Sequence, residues 1–462
     1  MTVDRIRATS NRAQRSDITL FLRQRLIMSR VCAGGRITNL LTVLSFVATS
    51  LAAVTTGCTP AEPHMMPTPL LFKDTRIDLS RRVPVVLRSP QIPVFYATSR
   101  KPVSPGSPGH YSATESEAVM LGVADVVLGS PGWDWNQLVA SDLTDRIDSP
   151  RPAHVQQVRE FGLLRGDAEL TASERAFVAA IDDHLGLTRN QDLTLYVHGY
   201  RVTFDEVSVL MASFARYLGH SATVSFQWPT NLYFWNYLTD CPRALKYIPD
   251  IERLIVLMTH TRAVRLNLVA YSCGSPLLAD ALVRLRVRYP DAGPEELQRR
   301  FRIGNVIFAA SDLDVKTFAR DGFPVIRQLA SQIIVYVSRK DEALGFSAFL
   351  ARTSRVGRPN VKDLSQEQLD AFATDSTFEV IDVTDVQGAH ELHGMKGHGY
   401  WFANDWISSD VTVSMRYPVP ARQRCLKAGS ANNVWLLPDN YPDCLVKRLL
   451  ETYPDLKAAS SP

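Results

Sequence analysis

The stretch LNLVAYSCGSPLLADAL, residues 266 to 282, puts Ser272 where a short apolar run gives way to leucines and alanines at helical spacing. A strand that turns sharply into a helix holds its corner residue in a strained conformation, and side chains two places to either side collide unless they are small. Ala270 and Gly274 meet that need. The corner side chain then projects free at the carboxyl edge of a sheet, beside backbone amides at the positive start of a helix. Ser272 is therefore a candidate nucleophile. Pro276 suits the first helical turn, and Leu278, Leu282 and Leu285 supply the stripe that packs the helix. Ala270 stands where the elbow pattern usually has its first glycine, and a small-x-Ser-x-Gly match alone is weak.

A serine hydroxyl needs a base, and the base an orienting carboxylate, in the chain order Ser, Asp or Glu, His. The strand-like QIIVYVS, Gln332 to Ser338, is followed at once by Arg339, Lys340 and Asp341, which places Asp341 at the same sheet edge. Asp312, just beyond IGNVIFAA, is the alternative acid, and a helix cap is the ordinary use of an aspartate after a strand. The only histidines downstream of Ser272 are His390, His393 and His398. His398, in the glycine-flanked KGHGYW, is the candidate base, with His390 and His393 as alternatives. Upstream, LTLYV runs into His198, Gly199 and Tyr200. A His-Gly turn lets the chain swing beside the elbow, so the oxyanion hole is assigned to the backbone N–H groups of Tyr200 and Cys273, with Gly199 as support. Cys273 acts there through its amide, its thiol being an alternative nucleophile, and His198 reads as a buried structural residue. The chemistry this set would perform is acyl transfer to serine.

Those residues must be held by a scaffold, and the chain supplies one. Strand-like runs at Ile92 to Ala97, Met120 to Leu128, Leu193 to Val197, Ala222 to Phe226, Leu266 to Ala270, Ile303 to Ala309, Ile333 to Val337 and Phe378 to Val383 alternate with helical runs. The helices are expected at Ala172 to His184, Asp205 to Leu218, Ile251 to His260, Pro276 to Arg288 and Val315 to Leu329. That alternation predicts a mainly parallel sheet covered on both faces. Ala140 to Glu160 and Ala351 to Thr374 read as polar surface insertions. The aromatic FQWPTNLYFWNYLTD, Phe226 to Asp240, follows a strand at the catalytic edge; core packing is expected for Trp228 and about half of the other aromatics, an acyl pocket or lid for the rest, and a helix cap for Asp240.

Residues 1–57 hold eight arginines against Asp4 and Asp17, so the formal net charge of +4 belongs to this leader, and the rest carries no basic stripe of the kind nucleic acid requires. Ile37 to Val54 is charge-free over eighteen residues and reads as an export signal or anchor. Gly57-Cys58 after small residues resembles a bacterial lipobox, with Cys58 as the lipid-bearing residue; an uncleaved anchor and ordinary signal cleavage are the alternatives. All three export the domain to the cell envelope. The polar stretch before Met28 is unusual for a signal, and a start at Met28 would give a normal short basic region. Residues 58–85, with Pro60, Pro63, Pro67 and Pro69, read as a proline-rich tether. Ordered structure is expected from about Val86, with the domain over 86–440 and a tail over 441–462. Cys425 and Cys444 bracket a short loop and form a candidate disulfide. No cysteine or histidine cluster has metal-ligand spacing, and no cofactor is expected.

In order along the chain stand PVFYATSR (Pro93 to Arg100), VHGY (Val197 to Tyr200), QWP (Gln227 to Pro229), AYSCG (Ala270 to Gly274), YVSRKDEAL (Tyr336 to Leu344) and GHGYWF (Gly397 to Phe402). This order resembles the bacterial α/β-hydrolase family of unknown function, DUF900, over roughly residues 90 to 440. The resemblance implies an α/β-hydrolase fold and a serine hydrolase with the triad Ser272, Asp341 and His398. The chain departs from the family pattern with Tyr271 and Cys273 around the serine and Ser311 before Asp312. The expected function is esterase-like or lipase-like hydrolysis of a small-molecule or lipid acyl substrate. A peptidase or acyltransferase with the same triad, and a non-catalytic envelope or binding protein on the same scaffold, are the alternatives.

Overall fold

The computed structural model describes residues 62–458 apart from 147–148, 168, 390–396, 418 and 430, so the leader, Cys58, His390 and His393 lie outside the described residues. Eleven strands form one sheet: β1 (Gln91–Pro102), β2 (Tyr111–Leu128), β3 (Ala153–Leu163), β4 (Asp192–Val197), β5 (Ala222–Gln227), β6 (Arg265–Tyr271), β7 (Ile303–Ala309), β8 (Ala330–Val337), β9 (Phe378–Asp382), β10 (Lys427–Ala428) and β11 (Val434–Leu436). Their order is β10-β11-β9-β8-β7-β6-β4-β5-β1-β2-β3. Every pairing from β11 through β1 is parallel, and only the pairs β10·β11, β1·β2 and β2·β3 run antiparallel.

Parallel central strands are buried on both sides, and side chains alternate between the two faces. In β6, Leu266, Leu268 and Ala270 join one core while Val269 and Tyr271 join the other. The first core is covered by α1 (Ala172–Leu187), α4 (Ile248–Met258) and α5 (Gly274–Val287), the second by α2 (Phe204–Tyr217), α7 (Asp405–Arg416) and α8 (Tyr441–Thr452). Two shorter helices, α3 (Tyr237–Ala244) and α6 (Glu342–Ala351), lie at the sheet's carboxyl edge. The helix starts obey local chemistry: Thr171 with Glu174, and Thr203 with Glu206, close capping boxes that satisfy otherwise orphaned amides.

Several expectations need correction. Residues 62–85 are not a free tether. Met65, Met66, Leu71, Ile77 and Leu79 are buried, and Thr68 bonds through its amide to Asp145 and through its hydroxyl to Asp142. The segment folds into short helical turns at Leu70–Lys73 and Leu79–Arg82, and its apolar residues hold it down. Residues 441–458 are not a separate tail either, because α8 buries Tyr441, Leu445, Val446 and Leu449, and the Tyr441 hydroxyl donates to Asp410 at 3.0 Å. Within 140–160 begins β3, an edge strand paired with β2 in which five of eleven residues are exposed and all five are polar, so burial leaves little pattern to read. The helix expected over Val315 to Leu329 is interrupted by a π-turn at Phe318–Gly322.

Candidate active site

Strands β4, β6, β7 and β8 end in register, so the loops that follow share one edge. Ser272 leaves β6 with φ +52°, a left-handed conformation that a non-glycine residue adopts at a cost. The turn is held on three sides: the Ser272 amide donates to Ala309 O, while its carbonyl accepts from Ser275 and Asp312. Gly274 is obligatory here, because a Cβ would lie 2.4 Å from Val197 O and 2.5 Å from His198 O. A Cβ on Gly199 would meet the Ser272 Cβ and the Tyr271 ring, both at 2.9 Å. Ala270 is fully buried.

The structure brings three distant side chains together. His398 Nε2 lies 2.7 Å from Ser272 Oγ, and its Nδ1 lies 2.7 Å from Asp341 Oδ2. The other oxygen of Asp341 accepts from the Leu344 amide at 2.9 Å, so one carboxylate both caps α6 and faces the imidazole. Burial alone lowers the His398 pKa; the charge of Asp341, its hydrogen bond and the charge of Asp312 outweigh burial and hold it above the ordinary histidine value. The loop carrying His398 is pinned two residues on, where the Tyr400 hydroxyl accepts from Ala310 N and donates to Tyr336 O. Tyr271 packs against the imidazole with ring centres 5.1 Å apart.

Asp312 takes no part in that chain. Its carboxylate accepts from the hydroxyls of Tyr237 and Ser347, each at 2.5 Å, and pairs with Arg355 at 3.2 Å. His198 is wholly buried, stacked on Trp228 and pushed down to about 3 by burial and by Arg100, so it stays neutral. Its carbonyl accepts from Trp228 Nε1, and Val202 O accepts from the buried Arg100. Among the described residues, neither the Tyr200 nor the Cys273 amide donates to a protein acceptor.

Cys273 is not a free thiol. It is bonded to Cys241, with Cα atoms 5.7 Å apart, and Cys425 is bonded to Cys444. The Cys241 bridge went unread in the sequence, although once Cys425 and Cys444 pair, Cys241 and Cys273 are the two cysteines left beyond the leader. Asp240 does not cap a helix start; it lies within α3 and accepts from the Asn231 amide at 2.7 Å. Of the aromatic stretch, Phe226 and Trp228 are core, whereas Tyr233 and Trp235 are exposed. No group of acidic, histidine or cysteine side chains suited to a metal ion occurs among the described residues.

A hydroxyl, an imidazole and a carboxylate in this order can move a proton off the hydroxyl and hold the resulting cation, which makes the oxygen a nucleophile. The fold has solved-structure counterparts of low similarity. Esterase B from Lactobacillus rhamnosis is 12% identical with a TM-score of 0.28, covering 51% of this chain and 80% of its own. A lipase-esterase related protein from Clostridium acetobutylicum is 10% identical with a TM-score of 0.27, covering 50% and 96%. Esterase Est22 is 11% identical with a TM-score of 0.26, covering 84% and 92%. No curated protein matches the sequence. The family model described as an α/β hydrolase of unknown function, DUF900, matches residues 173–412, just over half of the chain's 462 residues. On that match, the chain belongs to the DUF900 family of α/β hydrolases.

Proposed function

We propose that the protein is a serine hydrolase that cleaves acyl esters through Ser272, His398 and Asp341. The observation that carries this reading is the unbroken pair of 2.7 Å contacts from Asp341 through His398 to Ser272. His398 takes the Ser272 proton as Oγ attacks the acyl carbon, and Asp341 fixes the imidazole tautomer and balances its charge. The amides of Tyr200 and Cys273 receive the oxyanion; loss of one such donor typically costs about 3 kcal/mol of transition-state stabilisation. His398 then protonates the leaving group, and water, activated by the same imidazole, releases the acyl group. Each of these steps uses a group of the chain itself. The exposed Tyr233 and Trp235 before α3, and Leu238 in its first turn, favour a substrate with an apolar acyl part.

The reading extends to location. Two disulfides fit an oxidising compartment, and with the apolar run at Ile37 to Val54 they favour action outside the cytoplasm, tethered through Cys58 or an anchor. No helix among the described residues is long and apolar enough to cross a membrane. Labelling with a fluorophosphonate tests the chemistry: the folded protein should be modified at Ser272, and Ser272→Ala should take no label. A folded protein that stays unlabelled would leave only a binding role for the scaffold. Product analysis with ester, amide and acceptor substrates separates an esterase from a peptidase or acyltransferase.

A further inference from the structure

The two residues assigned to the oxyanion hole leave from different strands, Tyr200 after β4 and Cys273 after β6. Their side chains nevertheless reach the same segment, residues 230–241. The Tyr200 hydroxyl donates to Tyr233 O, and its neighbour Arg201 bonds through its amide to Thr230 Oγ1 and through Nε to Leu232 O, both at 2.9 Å. Asp240 closes that loop by accepting from the Asn231 amide. One residue further on, Cys241 is bonded to Cys273. A continuous chain of bonds therefore runs from one proposed oxyanion donor to the other through a segment outside the sheet. Within α3, Asp240 and Ala244 are buried, and Tyr237 and Cys241 pack partly buried against the core. The Tyr237 hydroxyl further ties it to Asp312 and Ser347.

We propose that the Cys241–Cys273 bridge sets the spacing of the two oxyanion donors, which makes Cys241 a positioning residue for the reaction. This rests on the serine hydrolase reading. An oxyanion hole acts only on charge that develops in the transition state, so misplacing one donor lowers kcat and leaves KM nearly unchanged. A bridge with a merely structural role lowers the melting temperature and leaves the kcat of the folded protein alone.

The test compares the full chain with Cys241→Ala/Cys273→Ala, well below both melting temperatures, by the rate of fluorophosphonate labelling and by kcat and KM on a p-nitrophenyl ester. Removing one such donor outright costs about 10²–10³-fold, so a loosened one should slow labelling and kcat by at least about tenfold. A second arm uses Cys425→Ala/Cys444→Ala, whose one remaining disulfide among the described residues is Cys241–Cys273. Reduction by dithiothreitol should slow its labelling and reoxidation should restore it, an outcome readable even if the first variant fails to fold. Labelling of the bridge-less protein at the parental rate, with only a lower melting temperature, would overturn the inference and leave the hydrolase reading intact. A parent that takes no label would sink both.

Discussion

Replacing Gly274 by alanine puts a methyl carbon where backbone already stands. Its Cβ would lie 2.4 Å from Val197 O and 2.5 Å from His198 O, against an ordinary contact distance of 3.4 Å or more, so roughly 1 Å must be found. Neither obstacle is a side chain that could swing aside. Either α5 backs away from the sheet, or the end of β4 moves and carries His198, Gly199 and Tyr200 with it. Overpacking of this kind costs about 1–3 kcal/mol of stability. A shift of that size between Ser272 and the Tyr200 amide costs about 10²-fold in rate. The assay pairs thermal unfolding with fluorophosphonate labelling and ester turnover, and Gly186→Ala serves as the control because no atom lies near its added Cβ. If Gly274→Ala unfolds at the parental temperature and is labelled within twofold of the parental rate, the close approach of α5 to the end of β4 is not what sets the site.

Asp341→Asn keeps a side chain able to cap α6, so stability should hold while kcat falls on the order of 10⁴-fold, measured by ester turnover beside thermal unfolding. Because His398 must be neutral to act as base and its pKa lies above the ordinary value of 6.5, kcat/KM should rise with pH through a midpoint above 6.5. In Asp341→Asn that midpoint should move down, because burial then meets less opposition; an unmoved midpoint assigns the titration to another group. Arg424 is buried between Asp410 and Glu379, so Arg424→Met strands two carboxylates and should destabilise the fold by about 3–5 kcal/mol in denaturant unfolding. Truncation after Asn440 removes α8 and the partner of Cys425, and should abolish soluble folded protein rather than trim a tail, as checked by circular dichroism.

What the sequence reveals follows burial and strain. The central parallel strands were legible because burial on both faces demands unbroken apolar runs, and all eight expected strands overlap observed ones. The elbow was legible because a strained serine needs small neighbours, and Ala270 and Gly274 stand out beside it. Elements at the two sides of the sheet were harder to read: β3 carries five exposed polar residues, and β10 and β11 are two and three residues long, too short to show a period. The segment at 62–85 was misread because its prolines advertise an extended chain without saying whether it lies on the protein. Cys241, Ser347 and Arg355 went unnoticed around the site because the groups they meet there, Cys273 and Asp312, are far off in sequence, and no local spacing announces such contacts.

The three groups proposed to react arrive by two different routes, and that difference decides what must be rigid. Ser272 follows β6 directly, and Asp341, four residues beyond the end of β8, is fixed as the N-cap of α6. His398 comes from beyond β9, two residues before the short helix that opens at Tyr400, and hydrogen bonding at 2.7 Å to both partners leaves it little freedom. Tyr400 supplies the missing constraint. Its buried hydroxyl bonds the chain just after β7 and the carbonyl of Tyr336 within β8, tying the histidine loop to the same strands that frame the serine and the aspartate. A side chain held through its neighbours' packing and hydrogen bonds keeps a catalytic geometry better than one held by its own loop. In GHGYW, then, the residue two after the histidine matters as much to the position of the imidazole as the glycines that flank it.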